Sequence, residues 1–252
     1  MPGKIGCQVR REAAVDSTNQ AARRWVRAGA PDGAVVVAAQ QTAGRGRLAR
    51  RWVSPPGAGL YLSAIVRPRM PVERFALLTF AAALAAWDAC FAVTGAHPGI
   101  KWPNDLVLSG RKISGILLEC EGDAAIIGIG INVRQRQEDF PPELRNKAGS
   151  LLMLTGKDVA LDELERALLE ALERRVQALV AGAWREDYCE RCITLGAAVR
   201  VKCGEESFTG TAEALDRDGA LLVRDGEGKQ RRVLAGDVSV RGLTGYVDGD
   251  WN

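Results

Sequence analysis

The order of apolar and polar positions predicts a first region in which strands and helices are mixed. Three apolar runs bounded by turn residues are interpreted as buried strands, Ala34 to Ala39, Leu60 to Val66 and Ala124 to Val133. From Asp158 to Val180, apolar residues recur every three to four positions and charged residues occupy the other face, which predicts an amphipathic helix. This pattern is typical of a mixed sheet flanked by helices.

Two more helices are predicted in this region. Ser17 and Gln20 have the spacing of a capping box and begin a helix that ends near Gly29. The second helix, Val72 to Val93, contains the most apolar stretch of the chain. Asp88 interrupts that stretch, so we interpret it as a buried core helix and not as a membrane span.

A β-hairpin is predicted between the core helix and the last apolar strand. Its arms are Asp105 to Leu108 and Arg111 to Cys120, joined by a two-residue turn. This register places Asp105 on the same face as Lys112, diagonally across, with the Cβ atoms roughly 7 Å apart or less. Such a pair either binds the charge of a substrate, nucleotide or metal, or is a surface ion pair that contributes little. The register alone does not decide between them.

After Leu195-Gly196 the pattern changes to short alternating runs separated by Gly and Asp turns, which predicts a small all-β barrel. We therefore expect fold class α+β, with a first domain at residues 1–194 and a second at 195–252. The predicted strands of the second domain are Ala198–Cys203, Ser207–Leu215, Ala220–Val223, Gln230–Leu234 and Val238–Arg241.

Composition adds mainly exclusions. The chain has 252 residues, of which 47% are hydrophobic and 26% charged, and its net charge of +3 is too small to indicate nucleic acid. The first residues lack a signal-peptide core, so a cytoplasmic location is expected. Six cysteines are irregularly spaced. The pair Cys189 and Cys192 has neither a second C-x-x-C nor a nearby histidine, so unreactive thiols are expected.

The strongest local signal is the connection Gln40–Trp52, which contains four arginines and two glycines between Gly44 and Arg51. Glycines allow close backbone approach, and guanidinium groups bind phosphates. Gly44–Ala49 matches G-x-G-x-x-A, but no helix start follows and no acidic residue occurs between Gln40 and Glu73, which excludes a dinucleotide fingerprint. A phosphate-binding loop, an RNA-binding loop and a solvated basic loop remain open.

Glycines also interrupt the predicted strands, at Gly115, Gly128 and Gly130. Glycine weakens a strand and often marks a close approach by a ligand or by another backbone. Asn132 follows directly and is a candidate hydrogen-bonding residue there.

In this order, these segments resemble the biotin–protein ligases, the biotin–[acetyl-CoA-carboxylase] ligase family. The resemblance extends from about residue 12 to 245. It rests on Asp16-Ser17-Thr18-Asn19, Gln41-Thr42-Ala43-Gly44-Arg45-Gly46-Arg47, Trp52, Lys101-Trp102-Pro103-Asn104-Asp105, Arg111-Lys112-Ile113-Ser114-Gly115-Ile116-Leu117, Gly128-Ile129-Gly130-Ile131-Asn132 and Val238-Ser239-Val240-Arg241.

The resemblance implies a catalytic domain like that of class II synthetases, followed by an SH3-like barrel. It also implies a two-step reaction. The biotin carboxylate attacks the α-phosphate of Mg-ATP to give biotinyl-5′-AMP and pyrophosphate. A lysine on the biotin carboxyl carrier domain of acetyl-CoA carboxylase, or of another biotin-dependent carboxylase, then displaces AMP. Neither step needs an enzyme nucleophile. Mg²⁺ would be held mainly by the ATP phosphates, near Asp105, and not by a direct protein site.

The resemblance also implies roles for individual residues. The loop would cover biotin and the phosphates, Trp52 would pack against adenine, and Lys112 would bridge the biotin carboxylate and the α-phosphate. The implied catalytic residues are Lys112, Arg47, Arg45 and Asp105. The implied biotin-binding residues are Ser17, Thr18, Asn19, Gln41, Arg45, Gly46, Arg47, Lys112, Gly115 and Ile116. The implied ATP-binding residues are Arg47, Trp52, Lys101, Asn104, Asp105, Lys112, Asn132 and Arg241.

Only about 15 residues precede Asp16, too few for the helix-turn-helix domain of bifunctional members. A monofunctional ligase is therefore expected, with neither a DNA nor a membrane partner, and a homodimer is an open alternative. Two other functions also remain open. One is a lipoate or octanoate ligase or transferase of the same superfamily. The other is a non-catalytic nucleic-acid-binding protein.

Overall fold

A computed structural model describes residues 4–203, 205–234 and 238–242, the last five as backbone. One mixed sheet contains seven strands in the order β1-β2-β3-β7-β6-β5-β4. Strand β1 pairs in parallel with β2, and the other neighbouring pairs of this sheet are antiparallel. The strands are β1 (Val9–Glu12), β2 (Val35–Ala38), β3 (Gly59–Val66), β4 (Gly99–Lys101), β5 (Asp105–Leu108), β6 (Arg111–Glu121) and β7 (Ala124–Asn132).

Helices cover both faces of this sheet. Val35 belongs to the core that includes the apolar residues of α2 and α4, whereas Val36 packs with Trp25 of α1. Because successive strand residues point to opposite faces, α1 lies on one face and α2 and α4 lie on the other. The helices are α1 (Thr18–Arg27), α2 (Leu78–Thr94), α3 (Leu151–Thr155), α4 (Leu161–Val180) and α5 (Arg185–Arg191).

The predicted core helix is observed with one change. A 3₁₀ segment, Val72–Leu77, precedes α2. Val72–Thr94 is long and apolar enough to cross a membrane by length and composition alone, but 61% of its apolar window is buried inside the fold. Small alanines from Ala81 to Ala86 are fully or almost fully buried, so α2 packs closely between the sheet and α4.

The predicted capping box at the start of α1 is wrong. Ser17 occupies the N-cap position, but its side chain makes no capping hydrogen bond. Instead the Thr18 backbone N–H donates to Gln41 Oε1 at 2.9 Å, and the Ser17 N–H donates to Asp16 Oδ1 at 2.8 Å. An acceptor 23 residues away in sequence thus satisfies the first N–H of the helix. Asp16 binds the Ser17 N–H, which the capping box assigned to the Gln20 side chain.

The predicted hairpin is confirmed, with a bulge. Its turn has positive φ at Ser109 (48°) and Gly110 (75°), as expected for a two-residue turn of type I′. The predicted pairing of Val107 with Lys112 is observed. The register then shifts between Leu106 and Val107, so that Asp105 pairs with Gly115.

A second, all-antiparallel sheet follows, in the order β11-β10-β9-β8-β12. It contacts the first region through Gly219, whose carbonyl accepts a hydrogen bond from Trp102 Nε1 at 3.1 Å. The α+β fold class is confirmed, and the domain boundary at 194/195 stays a prediction. The strands are β8 (Ala198–Cys203), β9 (Glu206–Leu215), β10 (Leu221–Asp225), β11 (Gln230–Val233) and β12 (Val238–Gly242).

Candidate active site

A cavity of about 1060 Å³ opens against the sheet. Gly128 and Gly130 line it and alternate along β7 with Ile127 and Ile129 of the main core, so it lies on the face that carries α1. Fifteen of the predicted site residues line it: Ser17, Thr18, Asn19, Gln41, Arg45, Gly46, Arg47, Trp52, Lys101, Asn104, Asp105, Lys112, Gly115, Ile116 and Asn132. The side chain of the remaining one, Arg241, lies outside the described part of the chain.

One end of the cavity carries an uncharged polar network at the start of α1. Thr18 Oγ1 donates to Gln41 Oε1 at 3.2 Å, and Gln41 Nε2 donates to Ser54 Oγ at 2.8 Å. Ser63 Oγ lies 2.8 Å from Thr18 Oγ1 and 2.6 Å from Asn19 Oδ1. Buried amides and hydroxyls that fix one another in this way are suited to recognising a neutral polar ligand.

The strand glycines leave room for side chains of this chain. A Cβ atom at Gly128 would lie 2.2 Å from Asn19 Oδ1. Gly115 and Gly130 are cross-strand partners, and a Cβ atom there would lie 3.1 Å and 2.7 Å, respectively, from the Trp52 ring. The glycines therefore let Asn19 and Trp52 lie directly against the sheet, and close approach by a ligand stays a prediction.

Lys112 and Asp105 form an ion pair inside the cavity. Lys112 Nζ lies 2.7 Å from Asp105 Oδ1, and the two side chains are only 24% and 19% exposed. The Lys112 backbone is held too, because its N–H donates to the Lys147 carbonyl at 2.8 Å and its carbonyl accepts from the Gly149 N–H at 3.0 Å. The sequence left open whether this pair binds the charge of a ligand or is a surface ion pair. Its low exposure and its position in the cavity wall favour the first alternative.

The connection Gln40–Trp52, called the arginine loop from here on, is folded into a small hairpin. The Gly46 N–H donates to the Arg50 carbonyl at 2.7 Å, and the Trp52 N–H donates to the Gly44 carbonyl at 2.9 Å. At its tip, Leu48 and Ala49 both have positive φ, 54° and 57°. Left-handed backbone at non-glycine residues is strained and persists only where surrounding contacts hold it.

Two of the four loop arginines, Arg45 and Arg47, contact different ends of the cavity. Arg47 Nη1 donates to Asn104 Oδ1 at 2.9 Å, on the segment that also carries Asp105. Arg45 Nη1 lies 3.3 Å from Glu119 Oε1, next to Asn19. Their predicted roles toward a ligand stay predictions, but the structure separates the two side chains by position.

The segment between β4 and β5 is anchored from several sides. The Asn104 side chain donates to the Ile116 carbonyl at 2.8 Å. Tyr188 Oη donates to the Pro103 carbonyl at 3.1 Å, and the Trp102 N–H donates to Thr194 Oγ1 at 3.0 Å. Residues from three separate parts of the chain thus fix the position of Asp105.

Asn132 is buried and already bonded within the chain. Its Nδ2 donates to the Gly149 carbonyl at 3.0 Å, and its Oδ1 accepts from Gln135 Nε2 at 3.1 Å. These bonds explain why the residue is held at the cavity, and its predicted contact with ATP stays a prediction.

One wall of the cavity was not predicted from the sequence. It is formed by residues of the segment Glu138–Ala148, including Arg145 and Lys147. The available signal was the long connection after the apolar strand that ends at Val133, since long connections in compact domains are usually functional or disordered. Ser63, a buried polar residue within the apolar strand β3, was not predicted either.

The expectation of unreactive cysteines stays a prediction, and two of the thiols are deeply buried. All six are free. Burial raises the pKa of Cys90 to about 12 and that of Cys192 to about 11, so both are protonated near neutral pH. Among the described residues, no group of three or more His, Cys, Asp or Glu side chains is arranged to hold a metal ion.

Fold and site together define an α+β enzyme with a neutral polar pocket adjoining a cationic one in a single cavity. Residues 12–134 match the biotin/lipoate A/B protein ligase family, and residues 194–241 match the biotin protein ligase C-terminal domain. The chain belongs to the biotin protein ligase family.

Individual relatives and structures agree with this assignment. The chain is 37% identical over 219 residues to the biotin–[acetyl-CoA-carboxylase] ligase of Mycobacterium tuberculosis, covering 82% of this chain and 79% of that protein. It is 34% identical over 237 residues to the bifunctional ligase/repressor BirA of Bacillus spizizenii, covering 90% and 72%. The structure of the Aquifex aeolicus biotin protein ligase in complex with biotin and ATP has 31% sequence identity and superposes with a TM-score of 0.82, covering 94% and 99%.

Proposed function

We propose that this enzyme uses ATP to activate biotin as biotinyl-5′-AMP, with release of pyrophosphate, and then transfers biotin to a lysine of a biotin carboxyl carrier domain. The observation that carries the proposal is the Lys112–Asp105 ion pair at 2.7 Å, which shares one cavity with the polar network at Thr18 and Gln41 and with the arginine loop. A cavity of about 1060 Å³ is large enough for two small substrates together.

The residues support a reaction driven by positioning and by stabilisation of charge. The Ser17–Asn19 segment and Gln41 would bind the ureido end of biotin, and Gly115 and Ile116 would line its tail. Lys112 would neutralise the carboxylate as it approaches the α-phosphate and would stabilise the charge that develops there. The nucleophile is the substrate carboxylate in the first step and the carrier lysine in the second. No enzyme nucleophile is therefore required.

The loop and the segment that carries Asn104 would serve the nucleotide. Arg47 and Lys101 supply positive charge, and Trp52 and Asn132 stand at the same cavity. The donor set fits Mg²⁺ held largely by the ATP phosphates, because Mg²⁺ in nucleotide sites is usually bound through one or two carboxylates plus substrate phosphates. Asp105 is the carboxylate that would contribute, and the ion would neutralise phosphate charge.

The decisive experiment is ATP–pyrophosphate exchange with and without biotin. Exchange that depends on biotin, and is not supported by lipoate or octanoate at equal concentration, is the expected result. Exchange with lipoate alone would assign the chain to the related lipoate chemistry. No exchange with either acid, together with salt-dependent nucleic-acid binding, would favour the non-catalytic alternative.

The second step requires its own assay. Transfer of labelled biotin to a purified biotin carboxyl carrier domain should need a lysine at the acceptor position. A domain in which arginine replaces that lysine should accept no label. Label on the arginine variant would contradict transfer to that amine.

A further inference from the structure

The carboxylate of Glu119 contacts both Asn19, in the polar network, and Arg45, in the arginine loop. Glu119 lies on β6, and its side chain is 15% exposed. Its Oε2 accepts a hydrogen bond from Asn19 Nδ2 at 2.8 Å, and its Oε1 lies 3.3 Å from Arg45 Nη1 and 3.4 Å from Arg23 Nη2. Glu119 is not among the residues that line the cavity, so whatever it does there is done through its partners.

The contact with Asn19 sets which way the Asn19 amide points. Asn19 Nδ2 donates to Glu119 and, at 3.2 Å, to the Leu117 carbonyl. Both acceptors lie on the Nδ2 side, which leaves Oδ1 directed at Ser63 Oγ at 2.6 Å and over Gly128. A flipped amide would face both acceptors with an oxygen, so Glu119, the closer and charged acceptor, selects one of two orientations together with the Leu117 carbonyl.

The contact with Arg45 fixes one side of the loop. In the described part of the chain, the acidic partner of Arg45 is Glu119. Arg45 is 46% exposed, and its backbone bridges to Arg51 across the loop hairpin. The strained backbone at Leu48 and Ala49 requires such contacts to persist.

We propose that Glu119 is a positioning residue that couples the biotin pocket to the arginine loop: it orients the Asn19 amide for the ligand and holds Arg45 in the loop hairpin. The consequence for catalysis rests on the proposed function. The consequence for the loop does not, because it concerns the free protein.

Glu121 provides a matched control. It lies two residues further along the same strand, its side chain is 23% exposed, and it forms ion pairs with Arg23 at 3.3 Å and Arg27 at 2.6 Å. Neither arginine is among the cavity-lining residues. Glu121→Gln therefore removes the same charge from the same strand without touching Asn19 or Arg45.

The first readout is trypsin cleavage within Arg45–Arg51 of the unliganded full-length protein. Glu119→Gln should accelerate cleavage about two- to five-fold over wild type, the scale of losing one partly exposed ion pair. Glu121→Gln should cleave at the wild-type rate. Equal rates in the two variants would overturn the role of Glu119 in holding the loop.

The second readout is the KM for biotin in ATP–pyrophosphate exchange. Glutamine at position 119 still offers an oxygen to Asn19 Nδ2, so Glu119→Gln should keep a near-normal KM, whereas Glu119→Ala should raise it about tenfold through the lost charged hydrogen bond. A normal KM in a folded Glu119→Ala variant would overturn the role in orienting Asn19. If Glu119→Ala does not fold, Glu119→Met, which keeps the length of the side chain and removes the acceptor, takes its place, and a normal KM for biotin in that variant overturns the role.

The proposed function and the role of Glu119 are contradicted by different results. If wild-type protein shows no biotin-dependent exchange, the proposed function is wrong, while the cleavage comparison still decides whether Glu119 holds the loop. If wild type exchanges normally, Glu119→Gln is cleaved at the wild-type rate and Glu119→Ala keeps a normal KM for biotin, the proposed function stands and the role of Glu119 is rejected.

Discussion

The indole ring of Trp52 occupies the space that a side chain at Gly130 would need. A Cβ atom at position 130 would lie 2.7 Å from both Cε2 and Nε1 of the ring. Gly115, the cross-strand partner of Gly130, also lacks a side chain and leaves room for the same ring. The aromatic end of the arginine loop is therefore seated directly on the sheet, and strand composition determines where the loop lies.

Replacing Gly130 with alanine should displace Trp52. Because a 2.7 Å contact with a ring is not tolerated, the loop must shift, and misplacement of about 1 Å at a reacting site costs up to about 10²-fold in rate. Gly115→Ala, with its closest contacts at 3.1 Å, should have a smaller effect on biotin-dependent exchange. Gly226→Ala, which meets nothing within 4 Å, is the neutral control, and equal rates in Gly130→Ala and Gly226→Ala would contradict the idea.

Lys112→Ala should leave the fold intact and lower biotin-dependent exchange by roughly 10² or more, the scale of removing one electrostatic stabiliser. The same change at the exposed Lys157, outside the cavity, should have no effect on exchange. Steady-state exchange and thermal unfolding, measured on both variants, separate lost chemistry from lost stability. Near-normal turnover in Lys112→Ala would reject the role given to its ammonium group.

Trp102→Phe should weaken the use of ATP more than the binding of biotin. It removes the hydrogen bond from Trp102 Nε1 to Gly219, which ties the second sheet to the segment carrying Asn104 and Asp105. Loss of one such bond is worth about 1 kcal/mol, or roughly a fivefold rise in the KM for ATP if it acts entirely on that segment.

Trp87→Phe is the matched control for that variant. It removes the bond from Trp87 Nε1 to the Pro98 carbonyl, 2.6 Å long, and Trp87 does not line the cavity. Its stability should fall by a similar amount with the KM for ATP unchanged. Identical kinetic effects of the two variants would show that the bond to Gly219 has no special link to the nucleotide.

Asp16→Asn should reduce stability at neutral pH and lose this effect in acid. Hydrogen bonds from Arg24 lower the pKa of Asp16 from 3.8 to about 2, so the ion pair stabilises the fold above pH 3.8 and is lost as the pH falls toward 2. Both side chains are substantially exposed, and the difference near pH 7 should stay below about 1 kcal/mol. Urea unfolding of wild type and variant between pH 7 and pH 2.5 measures it, and a gap that widens in acid would refute the sign.

Arg24→Gln tests the cause of that pKa shift. Because Arg24 supplies the hydrogen bonds that lower the pKa of Asp16, its removal should return that pKa toward 3.8 and reproduce the pH dependence of Asp16→Asn. Titration of the Asp16 carboxyl by NMR in Arg24→Gln reads the pKa directly. A carboxyl that still titrates near 2 would assign the shift to the Ser17 N–H instead.

The sequence by itself determined the elements whose signals are local. Apolar runs and periodicity gave the strand β3 and the helix α4 to within a few residues, and the Ser109-Gly110 turn set the pairing of Val107 with Lys112. The set of site residues came from the resemblance of its motifs to the biotin–protein ligases, and fifteen of those residues line one cavity.

The tertiary structure alone decided which residues meet across long stretches of chain. Gln41 accepts the hydrogen bond of the first N–H of α1. Trp52 and Asn19 fill the space above the strand glycines. Arg45 and Arg47 are two positions apart in sequence but contact residues at different ends of the cavity, Glu119 and Asn104. A local sequence pattern reports which backbone groups of a segment are hydrogen-bonded within it and which face of it is buried. These long-range contacts depend instead on the order of the strands in the sheet and on the register shift at Leu106, and neither can be read from a short stretch of sequence.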